Sequence, residues 1–276
     1  MKKLLAIVMA AVLLLGLVSC AGDSGSKEDK NTDDTTAEEK ANYTLLNEGV
    51  LAVGAEMSYP PYEMMAEDGV TPIGYDVDLA NELGRRLGLE VTFINTGFDV
   101  IAEGLGVNYD LIISGYTINE ERKEQVLFSD PYIDNYQAIV VRADSDLTAD
   151  SLTDIDGHSI AFQKGTTSDE IVEDLISTGS VECTTAANEK ILTCFQQLTN
   201  GEIDMVVCDS TVADVHLASN SDAYKIIFVD KTSPEQFGVG ISKDNPELQK
   251  AINEIIADLK EEGFFDDLNK TWFSNT

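Results

Sequence analysis

Arg122 ends the polar stretch Thr117-Ile118-Asn119-Glu120-Glu121-Arg122, which reads as a loop entering a short helix. Its guanidinium is a planar fork that can hold a carboxylate through two parallel hydrogen bonds. The plainer use is a surface ion pair with Glu121 or Asp130. Asp209 follows the apolar run Met205-Val206-Val207-Cys208. An acid at the carboxyl end of an α/β strand faces the crevice where ligands sit, and a carboxylate can take an ammonium. The plainer reading is a cap for a helix running from Thr211. Thr166 and Thr167 precede a helical stretch, where N–H groups point at anions, or they simply cap it. Further upstream stand Glu56, Tyr59 and Phe98. Two facing rings can sandwich a flat or aliphatic group and attract a guanidinium, and an acid beside them would add a salt bridge. Alternatively the rings are core and the acid is solvated.

These groups sit at the joints of an alternating pattern. Residues 51–55 read as a strand. Residues 76–87 read as an amphipathic helix with Val77, Leu79, Ala80, Leu83 and Leu87 on its apolar side. A strand at 89–94, a short helix at 100–105, a strand at 109–114 and a short helix start at 119–125 follow. This β-α-β-α-β order is that of a parallel sheet covered by helices. A long apolar strand is predicted at 136–142. In a second series, strands at 159–162, 181–184, 203–208 and 225–229 alternate with helices at 168–177, 186–199 and 211–218. One more strand, 237–241, precedes a helix at 246–262 that Pro246 opens and Gly263 stops, and a last short helix at 264–273. The fold class is α/β with two lobes, and the C-terminal helices are surplus to the second.

The 276 residues carry 18 Lys and Arg against 50 Asp and Glu, a formal net charge of -32, and 43% are hydrophobic. That apolar share suffices for a core despite the charge, and the length suits two lobes. The acidic balance excludes a nucleic-acid partner, which needs clustered Lys and Arg. It also disfavours adsorption of the folded body to anionic lipid. Two histidines, His158 and His216, exclude a poly-histidine centre; no metal and no cofactor are expected. Cys183, Cys194 and Cys208 form no CxxC pair. A 183–194 bridge is one possibility, and three small buried residues the plainer one.

The first 40 residues are export and tether. Met1-Lys2-Lys3 and the apolar run 4–18 form a secretory signal over 1–19, too short for a convincing spanning helix. Its ending, Leu17-Val18-Ser19-Cys20, resembles the bacterial lipoprotein signal, which implies that Cys20 is lipidated and becomes the new N-terminus. Residues 20–40 hold seven acids and three lysines among small polar residues, and are expected to form a flexible acidic tether.

Gly74-Tyr75-Asp76-Val77-Asp78-Leu79, with Leu83, Gly84 and Leu87 behind it, resembles the signature of bacterial extracellular solute-binding proteins of family 3, the polar amino acid receptors of ABC importers. Further matches run in family order over roughly residues 48 to 273. They include Tyr59-Pro60-Pro61-Tyr62, Phe98-Asp99, the stretches 109–115 and 117–122, Phe128-Ser129-Asp130-Pro131-Tyr132, Gln163-Lys164-Gly165-Thr166-Thr167 and the pair Trp272-Phe273. The resemblance implies a two-lobed periplasmic-binding-protein type II fold. Each lobe is then a central sheet flanked by helices, with two interlobe crossover strands. Lobe 1 would take residues 41–136 plus 235–276, and lobe 2 residues 137–234. It further implies that Arg122, Thr117, Thr166 and Thr167 hold a ligand α-carboxylate. Asp209, with the Ser114 and Gly115 backbone, would hold the α-amino group. Glu56, Tyr59, Phe98, Gln163 and Tyr116 would meet the side chain. A free amino acid, arginine or lysine before neutral polar amino acids or cystine, would close the lobes by a hinge. The implied partners are that ligand, an ABC permease and, through the N-terminal lipid only, the extracytoplasmic face of the bacterial cell membrane. The receptor would act as a monomer.

Two other function classes compete. A cleft enzyme of the dehydratase kind needs a poised acid or base, yet no histidine lies in the matched motifs, so no enzymatic activity is expected. A surface sensor without transport would use the same cleft.

Overall fold

The computed structural model describes residues 42–273. The expected signal segment, Cys20 and the tether lie outside them.

The chain runs β1 (Val50–Ala55), β2 (Ser58–Tyr59), β3 (Glu63–Met65), β4 (Pro72–Ile73), α1 (Tyr75–Leu87), β5 (Glu90–Asn95), β6 (Leu111–Ile112), α2 (Glu120–Lys123), β7 (Leu127–Phe128) and β8 (Ile133–Asn135). It continues with β9 (Gln137–Arg142), β10 (Ser159–Gln163), α3 (Thr167–Ser177), β11 (Thr184–Asn188), α4 (Ile191–Asn200), β12 (Met205–Asp209), α5 (Ser210–Ser219) and β13 (Tyr224–Val229). The last elements are β14 (Glu235–Phe237), β15 (Gly240–Ile241), α6 (Pro246–Glu261) and α7 (Phe264–Phe273).

These elements build two sheets, one per lobe. The first has the order β5-β1-β6-β15-β7 and the second β11-β10-β12-β9-β13. In each, the alternating series supplies three parallel strands. Antiparallel strands complete both: β15 and β7 in the first sheet, β9 and β13 in the second. The antiparallel pair β8–β14 links the lobes, because each of its strands leads from one sheet toward the other. The architecture is thus two-lobed α/β with crossover strands.

Helix covers explain the apolar strands. Along β9, Ala138 and Val140 enter one core cluster while Ile139 and Val141 enter another on the opposite face. Both faces of the strand are therefore dry, which is why it reads as an unbroken apolar run. Helix α1 buries Val77, Leu79, Ala80 and Leu83 on one side, and Gly88 ends it in the left-handed conformation. Its first turn carries Asp76 and Asp78 and its last turn Arg85 and Arg86, matching the helix dipole.

Several predicted elements shift. The strand expected at 181–184 lies at Thr184–Asn188, and the helix expected from 186 opens only at Ile191. Ala186 and Ala187 favour helix locally, but pairing of β11 along the edge of β10 decides their conformation. The strand expected at 237–241 is two strands separated at Gly238, whose Cα lies so close to Ile118 that a Cβ would stand 2.8 Å from the Ile118 Cδ1. The expected strand at 109–114 narrows to Leu111–Ile112, and the 100–105 helix is a 3₁₀ turn over Phe98–Gly104. The sheet β2-β3-β4 had no counterpart in the sequence reading. Cys183, Cys194 and Cys208 are all free, so the 183–194 bridge is not formed.

Candidate functional site

Arg122 is buried although its segment is polar. The Asn119 carboxamide caps α2 by accepting the Arg122 N–H at 2.8 Å, which turns the side chain inward. Its guanidinium donates to the Thr117 carbonyl and to the Gly165 carbonyl, each at 3.1 Å. The Tyr116 and Phe98 rings lie 4.6 and 5.4 Å from its central carbon. Its ion-pair partner is Glu170 at 3.6 Å, rather than Glu121 or Asp130. Arg122 is the one buried basic side chain among the described residues.

Asp209 closes β12 across from Gln137 on β9. It stands at the cap position of α5 but makes no side-chain cap bond, so simple capping does not account for it. Its carboxylate instead accepts from the Tyr59 hydroxyl, from Asn135 at 2.6 Å and from Gln137 at 3.0 Å. Burial, and after it the negative charge of Glu235, push its pKa upward; the hydrogen bonds from Tyr59, Asn135 and Gln137 oppose the rise.

A narrow cavity brings eight of the expected residues together. Tyr59, Phe98, Gly115, Thr117 and Arg122 come from the side of the first sheet; Thr166, Thr167 and Asp209 come from the second. Thr166 caps α3, receiving the Asp169 N–H at 3.3 Å and donating to the Gln163 carbonyl at 2.7 Å. Its hydroxyl is thus engaged locally.

Ser114, Glu56, Gln163 and Tyr116 are not part of that lining. The Ser114 hydroxyl accepts the Glu56 N–H at 3.0 Å and donates to Glu63 at 2.6 Å. Glu56 is buried rather than solvated. It accepts from the Ser58 hydroxyl and, at 3.3 Å, from the Gln163 amide, a contact that spans the two lobes. Burial raises its pKa, against the hydrogen bonds from Ser58 and Gln163 and the more distant charge of Lys190. Tyr116 stacks on Phe128 at 5.3 Å and meets Phe98 edge-on at 6.0 Å.

Four supporting residues were not foreseen in these roles. Asp76, within the motif at 74–79, accepts the Gly115 N–H at 2.7 Å and the Tyr132 hydroxyl at 2.9 Å, fixing the cavity wall. Glu63 lies beneath Ser114, fully buried, and burial together with the charge of Asp76 holds its pKa well above the usual range. Gln137 donates to Asp209 and to Glu235. Glu235 accepts from Thr167 at 3.0 Å and Thr117 at 3.4 Å. Polar residues inside apolar strands, as Asn135 and Gln137 are beside β9, are the one sequence signal that marks such partners.

Gly165 sets how closely the lobes meet. Its φ is +76°, and a Cβ there would stand 2.8 Å from the Asp99 Cα. An alanine is strained by roughly 1–2 kcal/mol in the left-handed region before any clash is counted. Gly165→Ala is expected to weaken ligand binding about tenfold or more, read by calorimetry; unchanged affinity would show that this approach is not needed for binding. No group of three His, Cys, Asp or Glu side chains placed to hold a metal occurs among the described residues.

Residues 51–275 match the family model described as bacterial extracellular solute-binding proteins, family 3. The chain is 30% identical over 225 residues to the ABC transporter arginine-binding protein 1 of Escherichia coli K12, covering 80% of this chain and 89% of the relative. It is also 30% identical to the L-cystine-binding protein TcyJ of the same organism, over 83% of this chain and 86% of that one. Among solved structures, holo ArgBP from T. maritima superposes with a TM-score of 0.71 at 39% identity, covering 82% of this chain and 96% of that one. The chain belongs to the bacterial extracellular solute-binding proteins of family 3.

Proposed function

We propose that this protein is the receptor of an amino acid ABC importer that binds arginine or lysine between its two lobes and closes on it by a hinge at β8 and β14. Family 3 proteins are non-catalytic transport receptors, and this chain is a receptor and not an enzyme. The observation that carries the proposal is the cavity that sets Arg122 and Asp209 together between the lobes. A free α-amino acid offers a carboxylate and an ammonium a short distance apart, and these two groups are their complements.

In this reading Arg122, Thr117 and the N–H groups at the start of α3 hold the carboxylate. Asp209 and the Gly115 backbone hold the ammonium. Tyr59 and Phe98 flank the side chain. Glu56, with Gln163, reads its tip. The lobes take residues 41–136 plus 235–276 and residues 137–234. The acids around the cleft outnumber its single buried base, which favours a cationic solute. The arginine-binding relative and the ArgBP structure point the same way. The cystine-binding relative supports the second reading, a neutral polar amino acid or cystine. Cys20 would carry the lipid that holds the receptor at the outer face of the cell membrane, where it meets its permease.

Glu56→Gln tests the cationic preference. Removing one partner of a buried charge pair costs about 2 kcal/mol or more, roughly thirtyfold in affinity. The variant is expected to lose that much for arginine and lysine and far less for glutamine. Equal losses across the panel would show that Glu56 does not read charge.

A further inference from the structure

Beyond the cavity, at its Thr117 and Thr167 end, lies an open groove of about 710 Å³. Both threonines line the cavity and the groove. Glu235 lines only the groove among these two spaces, and one of its oxygens receives both threonine hydroxyls, at 3.4 and 3.0 Å. Its other oxygen takes the Gln137 amide at 3.2 Å. The carboxylate is thereby pinned on the seam between the two spaces, from a strand that crosses between the lobes.

We propose that Glu235 is the partition that restricts the cleft to free amino acids: clasped by Thr117 and Thr167, it blocks the seam through which a ligand extended at its carboxyl group would have to pass. The proposal rests on the amino acid receptor reading above. A ligand carboxylate held by Arg122 stands at this end of the cavity, beside Thr117, whose hydroxyl is donated to Glu235. A dipeptide whose first residue took the same place would send its second residue between Thr117 and Thr167. It would there meet the bulk of Glu235 and a like charge on its own terminal carboxylate. Past the seam the groove is roomy and carries Lys123, whose ammonium is exposed and pairs with Glu120. A terminal carboxylate that reached the groove would find a cation there. The groove also carries Glu170, partly exposed and paired with Arg122 at 3.6 Å; the seam itself is blocked by Glu235.

The test compares arginine with arginyl-glycine, and glutamine with glutaminyl-glycine, by calorimetry on the purified protein and on Glu235→Ala. The ratio of dipeptide affinity to free amino acid affinity is expected to rise about tenfold or more in the variant. In Glu235→Gln, which keeps the bulk and the acceptor oxygen, the rise is expected to be much smaller. Should Glu235→Ala melt too low to assay, Glu235→Ser carries the same expectation. A ratio unchanged in the truncated variant, with free amino acid binding intact in the unsubstituted protein, overturns the partition alone. Absence of binding by both free amino acids to the unsubstituted protein overturns the receptor reading, and the partition with it.

Discussion

Arg122→Ala is expected to lower affinity for any free amino acid at least a hundredfold, the equivalent of about 3 kcal/mol or more for a buried charge left without its partner. Two effects add. The ligand carboxylate would lose the only buried base among the described residues, in a cavity whose one acidic lining group is Asp209. The guanidinium also ties the Thr117 carbonyl on one side of the cleft to the Gly165 carbonyl on the other, so its removal loosens closure. Arg122→Lys separates them. It keeps the charge and loses the fork and its stacking on Tyr116, so it should recover part of the affinity. Calorimetry on both variants, with melting curves taken without ligand, measures this. Unchanged affinity in Arg122→Ala would sink the assignment of the carboxylate site.

Asp209→Asn is the second large effect, with an expected loss of about 2–5 kcal/mol in amino acid binding. The amide keeps the shape and removes the charge that an ammonium needs. The pH dependence gives a second readout. Burial, then the charge of Glu235, raise the Asp209 pKa, so its protonated form is populated at a higher pH than for a free carboxyl. A bound ammonium favours the ionised form and draws the pKa back down. Binding therefore expels a proton, and affinity must fall as pH drops through the raised value, by at most about tenfold per pH unit for one proton. In Asp209→Asn this dependence should flatten, leaving a smaller contribution from Glu56 and Glu235, which burial also raises. A steeper or unchanged profile in the variant would place the proton elsewhere.

Much of this was legible in the chain. The alternating pattern carried both lobes because buried parallel strands and amphipathic helices have distinct periods. The ordered motifs located Arg122 and the threonines, the end of an apolar strand located Asp209, and the cavity gathers them. What stayed hidden depends on contacts remote in sequence. The edge strand β11 contradicts its own helical propensity because β10 pairs with it. The sequence points to the Ser114 backbone but not to its hydroxyl, which is committed to Glu56 and Glu63, 58 and 51 residues away. Glu235 opens β14, and only the crossover of that strand brings it to Thr117 and Thr167, 118 and 68 residues upstream. The acidic surplus likewise gave no address: only the fold separates its solvated members from the few buried around the cleft.

The most direct measurement is a thermal-shift screen of the purified protein against the amino acids, with ornithine and cystine included. A ligand that binds only the folded state raises the melting temperature in proportion to RT ln(1 + [L]/Kd). The largest rise is expected with arginine or lysine, a small one with neutral polar amino acids, and none of that size in Arg122→Ala. No rise with any free amino acid would contradict the receptor reading.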